Sequence, residues 1–308
     1  MPLKLAQGRA DDSRFDIERN AVLRNASRAA RGYDAAAVLA REVSRRMGER
    51  LDLVKIQPQR ILDVGCGTGA DLRLLAERYP QAHRVGCDFS SAMLREAGGE
   101  LPWFKRLLPG GRAREAARVC GEASRLPFAE RSMSMLWSNL MLHWLTDPLP
   151  ALREMHRVLA IDGLLMFTAF GPDTLKELRR CFGQADDAPH VHRFIDMHDL
   201  GDALVGAGFA EPVMDMETLT LTYDSLDALL RDLRVSGGQC ALAGRRRGLT
   251  GKQTWSRVRA AYELHRREGR LPATFEVVYG HAWKPAPRTA PDGRNIVRFD
   301  PKQRGRAL

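Results

Sequence analysis

The chain has 308 residues, 44% of them hydrophobic, and a formal net charge of +10, which is enough apolar material for one elaborated domain or two. No run approaches the roughly 18 apolar residues that a membrane helix requires, and residues 1–12 lack the apolar centre of a signal peptide, so a cytoplasmic protein with no membrane partner is expected. The five cysteines, Cys66, Cys87, Cys120, Cys181 and Cys240, are odd in number and form no C-x-x-C pair, which argues against a disulfide framework or a zinc site and for reduced, buried small residues.

Ala36, Leu39, Ala40, Val43 and Met47 recur at helical spacing, which predicts an amphipathic helix over 33–47 ended by Gly48. Residues 60–64 read as a short apolar strand running into a glycine turn, and Leu72, Leu75, Ala76 and Tyr79 then mark a helix. Further strands are expected at 85–87, 119–121, 134–137 and 164–170, with helices at 91–97 and 150–159. Strands alternating with helices imply a parallel sheet covered on both faces. Past Phe170 the rhythm changes. Long alternating strands at 213–223 and 274–283, with helical segments at 226–233 and 255–265 between them, suit an antiparallel sheet edge with a helical insertion. The expected organisation is an N-terminal helical segment (1–59), a main domain (60–283) with insertions at 98–118 and 224–272, and a basic, disordered tail (284–308). The tail holds seven Lys or Arg against two Asp, and segment 98–118 holds five basic residues against two acidic ones.

Leu62-Asp63-Val64-Gly65-Cys66-Gly67-Thr68-Gly69 lies where a strand turns into a helix, and its glycines permit a tight turn and a close approach of backbone N–H groups to a ligand. Asp88, at the end of the next strand, offers a carboxylate to a ribose diol. These two features fit a nicotinamide-dependent dehydrogenase equally well. In combination, Asp63-x-Gly65-x-Gly67-x-Gly69, Asp88 with Ser90 and Met93-Leu94, and Gly121-Glu122 with Leu126-Pro127-Phe128 resemble the successive motifs of class I methyltransferases across about 60–170. The resemblance implies a Rossmann-like sheet and S-adenosyl-L-methionine as cofactor. It places Asp63, Gly65, Gly67 and Gly69 at the methionyl part, Asp88 at the ribose, Glu122-Ala123 at the adenine and Asn139 beside the donor, and adds Cys66, Phe89 and Met93 as further cofactor-binding residues. Glu122 stands where an Asp is more usual.

Further along, Trp137-Ser138-Asn139-Leu140-Met141-Leu142-His143-Trp144, Phe170-Gly171-Pro172-Asp173-Thr174-Leu175-Lys176-Glu177-Leu178-Arg179, Pro189-His190-Val191-His192-Arg193-Phe194 and Leu271-Pro272-Ala273-Thr274-Phe275 resemble the malonyl-acyl-carrier-protein O-methyltransferases of biotin synthesis. A mitochondrial complex I assembly factor is similar too, but lacks the arginine of the Pro-His segment. The resemblance implies an acceptor site with Arg193, Asn139, His143 and Tyr33, and an acidic acyl carrier protein, or coenzyme A, bearing malonate. Arg193 is expected at the malonyl carboxylate, because a guanidinium holds a carboxylate through two parallel hydrogen bonds. That carboxylate, with a pKa around 4, is ionised near neutral pH and requires no general base. Lys105, Arg106, Arg112, Arg114 and Arg245-Arg246-Arg247 are candidates for meeting the carrier. His190, His192 and His198 show no ligand pattern with nearby carboxylates, so no metal is expected. A stable nucleic-acid partner is not expected either, since Leu140-Met141-Leu142 replaces the Pro-Pro-aromatic sequence that follows the Asn of amino-methylating enzymes.

Overall fold

A computed structural model describes residues 13–97 and 116–287. From the N-terminus these form a 3-10 turn at Ser13–Phe15, α1 (Arg19–Ala29), α2 (Tyr33–Ala36), α3 (Val38–Arg50), β1 (Arg60–Val64), α4 (Ala70–Arg78), β2 (His83–Asp88), α5 (Ser91–Glu96), β3 (Ala117–Cys120), β4 (Met133–Ser138), α6 (Leu149–Val158), β5 (Leu159–Phe170), α7 (Lys176–Gly183), α8 (Met197–Ala207), β6 (Ala210–Tyr223), α9 (Leu226–Val235), α10 (Lys252–Glu263) and β7 (Leu271–Trp283). The helix expected over 33–47 is broken at Ala37, whose ψ of 42° leaves the helical range between α2 and α3. The strands sit where the sequence pattern placed them: β1 matches its expected range, β3 starts two residues earlier and ends one residue earlier than expected, and the others extend by one to five residues at one or both ends. The helices α7 and α8 fall in segments to which the sequence pattern gave no element, and α1 lies in the stretch expected only in general terms to be helical.

The strands make one sheet in the order β3-β2-β1-β4-β5-β7-β6. The first five run parallel, while β7 is antiparallel to both β5 and β6. Parallel strands covered on both faces are apolar throughout, as the buried Ile61, Leu62 and Val64 of β1 show. One face packs Leu62, Leu136, Leu165 and Phe167 against Leu152, Met155 and Leu204 of α6 and α8. The other packs Ile61, Met135 and Trp137 against Val43, Met47 and Leu75 of α3 and α4. Each such fully buried side chain contributes roughly 1.5–3 kcal/mol relative to exposure. A third cluster, including Leu178, Phe182, Val258, Tyr262 and Phe275, fixes α7 and α10 on the end of β7.

Two segments read from sequence as peripheral are tied to this body. Residues 14–18 lie against 241–244, with an Ile17–Leu242 bridge and backbone hydrogen bonds Glu18 N–H to Ala241 O (2.8 Å), Ala243 N–H to Asp16 O (2.8 Å) and Gly244 N–H to Arg14 O (2.8 Å). Arg245 and Arg247 both reach the Glu18 carboxylate, and Arg246 reaches Asp186. Arg245 and Arg247 therefore clamp this N-terminal strap, while Arg246 and Arg247 remain exposed to solvent. At the other end Lys284, the first residue of the expected tail, is buried and donates Nζ–H to His156 O at 2.7 Å. Of the remaining basic candidates, Lys105, Arg106, Arg112 and Arg114 lie outside the described residues, as does the tail beyond Pro287. Among the five cysteines, Cys120 is exposed and Cys240 half-buried, contrary to expectation, because Cys120 ends the edge strand β3. Among the described residues no helix is long and apolar enough to cross a membrane.

Candidate active site

Strand order reverses between β1 and β4, and in open α/β sheets the loops leaving the carboxyl ends of strands at such a reversal part to form a crevice. Here that crevice is a cavity of about 400 Å³. Its floor is the glycine turn after β1. Gly65 has φ +80°, and a Cβ built on it would lie 2.4 Å from Met141 Cγ, so only glycine fits. Gly67 also has positive φ and opens onto the cavity, with nothing within 4 Å of an added Cβ. The turn is braced by Gly65 N–H to Cys87 O (2.8 Å) and leads into α4 at Gly69.

Asp88 ends β2 with its side chain fixed from two sides: Oδ1 accepts from Ser90 N–H (2.7 Å) and Oδ2 from Gly67 N–H (3.0 Å). Each oxygen keeps a lone pair for a ligand hydroxyl. Burial raises its pKa, and the two backbone donors pull it partly back. Asp63 and Asp71 stand nearby. Burial raises both, each further opposed or aided by its surroundings: Asp63 is pushed well up with Asp71 and Asp88 adding to the effect, whereas Trp137, Ser44 and Asn139 donate to Asp71 and lower it. Asp63 Oδ2 has no hydrogen-bond partner among the described residues. Asp88 faces the cavity while Asp63 and Asp71 are buried near it, one of them with an orphaned oxygen, and the three acids together favour a cation in the cavity.

The opposite wall comes from α1 and the strap. Ile17, Arg19, Val22 and Ala26 line the cavity. Arg19 pairs with Glu122 and lies 5.8 Å from the centroid of Phe89, so Phe89, Glu122 and Ala123 form a capped end of the cavity. Nothing in the sequence pattern had singled out Arg19, whose only signal is a position eighteen residues into a segment read simply as helical.

Of the residues expected to touch the cofactor, Gly65, Gly67, Asp88, Phe89, Met93, Glu122, Ala123 and Asn139 line this cavity. Asp63, Cys66 and Gly69 do not. Cys66 packs with Leu72 and Leu94 under the turn, burial raises its thiol pKa, and Gly86 leaves room for it: a Cβ there would be 2.7 Å from Cys66 Sγ. These three shape the turn from beneath.

Tyr33 and His143, expected on the acceptor side, also line the cavity. Burial pushes the Tyr33 phenol up to about 12, with Asp71 and Asp88 contributing. His143 is buried against Trp144, Phe170 and Phe194, with ring centroids 5.0, 4.5 and 5.9 Å away, and burial lowers its pKa to about 3. Its Nδ1 has no hydrogen-bond partner among the described residues. Asn139 is a brace: Nδ2–H donates to Ala40 O (3.1 Å), and Oδ1 accepts from Thr168 Oγ1–H (2.7 Å), which ties β4 to α3 and β5.

Arg193 does not join this group. It is exposed, its guanidinium carbon sits 3.2 Å from the centroid of Phe15 in the strap, and it lines neither the main cavity nor the chamber beside it. Its neighbours His192 and Phe194 turn inward instead. That second chamber, about 220 Å³, shares His143, Trp144, Phe170 and Phe275 with the main cavity and continues past Leu178, Phe182 and Trp255. Burial lowers the His192 pKa to about 4, and its Nε2 accepts from Ala241 N–H at 2.8 Å. His190 pairs with Asp186 and stacks on Phe182, while His198 pairs with its own cap residue Asp196. The three histidines thus serve three separate local contacts.

The strand order, the glycine turn at the reversal and Asp88 on the neighbouring strand define a class I methyltransferase. Residues 62–167 match the family described as "Methyltransferase domain". The YcgJ protein of Bacillus subtilis shares the fold at 17% identity, covering 78% of this chain and 98% of that one with a TM-score of 0.53. The malonyl-[acyl-carrier protein] O-methyltransferase of Gallionella capsiferriformans is 51% identical over 284 residues, 92% of this chain and 97% of that protein. The protein of the same description from Laribacter hongkongensis is 52% identical over 295 residues, 93% and 97% of the two chains. The chain belongs to the malonyl-[acyl-carrier protein] O-methyltransferase family. It is an S-adenosyl-L-methionine-dependent O-methyltransferase. The residues present fit that cofactor: a sulfonium and an ammonium answer Asp88 in the cavity wall, with the buried carboxyls of Asp63 and Asp71 close behind it.

Proposed function

We propose that the protein methylates the free carboxylate of a malonyl thioester carried on acyl carrier protein, giving the methyl ester used in biotin synthesis. The observation that carries this reading is the junction at His143, where the cofactor cavity opens into an aromatic chamber in which burial lowers the pKa of both His143 and His192 and keeps them neutral at neutral pH. When bound, S-adenosyl-L-methionine supplies an electrophilic methyl group on a positively charged sulfur. Asp88 would hold its ribose, and Glu122 with Phe89 and Arg19 would enclose its adenine end.

Carboxylate methylation requires no proton removal, since the acceptor is already anionic near pH 7. Tyr33 and His143 suit that need. With the phenol raised to about 12 and the imidazole lowered to about 3, both stay neutral and orient the acceptor by hydrogen bonding without drawing charge from the attacking oxygen. Asn139 acts through position, holding the β4 loop at the donor. Phe170, Phe194 and Phe275 exclude water from the reacting pair. Alignment of nucleophile and donor in such an enclosure removes of the order of 7 kcal/mol from a barrier in favourable cases. Arg193, on its placement, acts on the strap rather than on the carboxylate.

The test is turnover with purified acceptors. Malonyl-carrier protein should be methylated, malonyl-coenzyme A more weakly, and acetyl-carrier protein, tRNA and duplex DNA not at all. Equal methylation of acetyl- and malonyl-carrier protein would overturn the reading, and a chain that methylates none of them would leave only a methyltransferase-fold scaffold.

A further inference from the structure

Arg245, Arg246 and Arg247 are already engaged in ion pairs, and a second set of exposed arginines, without ion pairs among the described residues, lies elsewhere. Arg24, Arg28 and Arg31 recur at i, i+4 and i+7, a spacing that puts them on one side of α1 and the turn after it, and all three are exposed. The helix α9 lies alongside: Gly237 at its end approaches the Ala29 side chain, and Asn25 Nδ2–H donates to Gln239 O at 3.2 Å. On α9, Arg231 and Arg234 are exposed as well. Among the described residues none of these five arginines makes an ion pair. The nearby acids are engaged elsewhere: Glu18 with Arg245 and Arg247, Asp232 with the Tyr223 hydroxyl (2.6 Å), Asp227 with Arg259 (2.9 Å), and Asp34 with Thr68 and Arg73.

The inner sides of the same two helices wall the active site. Val22 and Ala26 of α1 and Leu233 of α9 line the main cavity, and Leu230, Leu233 and Arg234 line the second chamber. A cationic outer face and part of the wall of both cavities are therefore two sides of one structure.

We propose that the α1–α9 seam, with Arg24, Arg28, Arg31 and Arg231, is the docking surface for the acidic acyl carrier protein. Arg234 stands at the chamber wall, where its guanidinium is suited to the phosphodiester of the carrier's prosthetic arm. The inference rests on the carrier-linked substrate proposed above and adds where the carrier sits. A protein helix is the partner that fits: α1 has 11 residues and is ~16 Å long, which matches one acidic helix and is short for the track of a nucleic-acid duplex.

The experiment compares wild type with the double variant Arg28→Glu/Arg231→Glu, measuring binding of holo-carrier protein by fluorescence anisotropy and turnover of both malonyl-carrier protein and malonyl-pantetheine. The variant should raise KM for malonyl-carrier protein about tenfold with kcat unchanged, because such charges act mainly on encounter. Its kinetics on malonyl-pantetheine should match wild type, and its carrier binding should lose most of its salt dependence. The neutral pair Arg28→Gln/Arg231→Gln should fall between the two, which covers the case of a misfolded double reversal. Unchanged carrier affinity in the variants, with wild type binding carrier normally, overturns the surface and leaves the proposed function intact. Equal losses on carrier and pantetheine substrates overturn it as well, by showing damage to the cavity. A wild type that methylates malonyl-pantetheine but neither binds nor uses the carrier overturns both, and displacement of the carrier by duplex RNA at lower concentration than by free carrier assigns the face to nucleic acid.

Discussion

Asp88→Asn separates cofactor recognition from folding. Both carboxylate oxygens of Asp88 already accept a backbone N–H, from Ser90 at 2.7 Å and Gly67 at 3.0 Å. An amide keeps the shape but turns an NH2 group toward one of those donors and leaves a single acceptor for two ligand hydroxyls. Charge-assisted hydrogen bonds contribute roughly 1.5–3 kcal/mol each. Losing the charge and one acceptor should therefore weaken S-adenosyl-L-methionine by about 3 kcal/mol, on the order of 100-fold in Kd. The fold should suffer far less. Burial disfavours the ionised carboxyl in the native state, so removing the charge relieves desolvation while the donor clash at Gly67 or Ser90 opposes that relief. Calorimetric titration and melting curves with and without cofactor make the assay. The expected pattern is a ligand-free Tm close to wild type and a cofactor-induced rise in Tm that is nearly abolished. A folded variant with wild-type Kd would refute the role given to Asp88.

Gly65→Ala should abolish cofactor binding and lower stability by about 1–3 kcal/mol, since positive φ and the 2.4 Å approach of Met141 both oppose a Cβ; wild-type affinity in that variant would show that the turn is not the floor of the site. His143 and His192 have folded-state pKa values lowered to about 3 and 4. Such groups contribute stability that is fully present above the unfolded value near 6.5 and is lost as pH falls toward the folded values, so chemical denaturation of His143→Phe should lose less stability than wild type between about pH 6.5 and 3. The raised Asp63, Asp71 and Asp88 act on binding instead: as pH falls they take up protons, the cation loses its counter-charge, and cofactor Kd should rise. Glu18→Gln removes the negative charge and one of the two oxygens that accept from Arg245 and Arg247 and should speed cofactor dissociation a few-fold in stopped-flow, and Arg193→Met should do the same through Phe15 while leaving selectivity for malonate unchanged. A selective loss on malonyl substrates in the latter variant would restore Arg193 to the carboxylate.

The sheet was legible because parallel strands are short apolar runs and the glycine turn carries its own punctuation, so β1 and Asp88 could be placed from local pattern alone. The antiparallel end was legible from the change to alternation in β6, which bears one solvated face. The helix α1 was not, because its buried residues are the small Ala21, Val22 and Ala29 and Glu18 makes no capping hydrogen bond. By contrast α8 has both end signals, Asp196 accepting from His198 N–H and Gly208 at φ +101°, so its bounds are written in the sequence although no helix was expected there. Long-range pairing is the other gap. Nothing local in Arg245 and Arg247 tells that Glu18, more than two hundred residues earlier, is their partner, and nothing local in Arg193 tells that its chain neighbours, rather than its own guanidinium, face the chamber.

The central claim is the position of the transferred methyl. The direct measurement is incubation with methyl-labelled S-adenosyl-L-methionine and malonyl-carrier protein, followed by mass spectrometry of the released acyl arm and by treatment with mild base. The label should reside on the terminal carboxylate of the malonyl group as an ester that base removes as methanol; a label on the carrier polypeptide, on the malonyl C2 carbon, or resistant to base would contradict it.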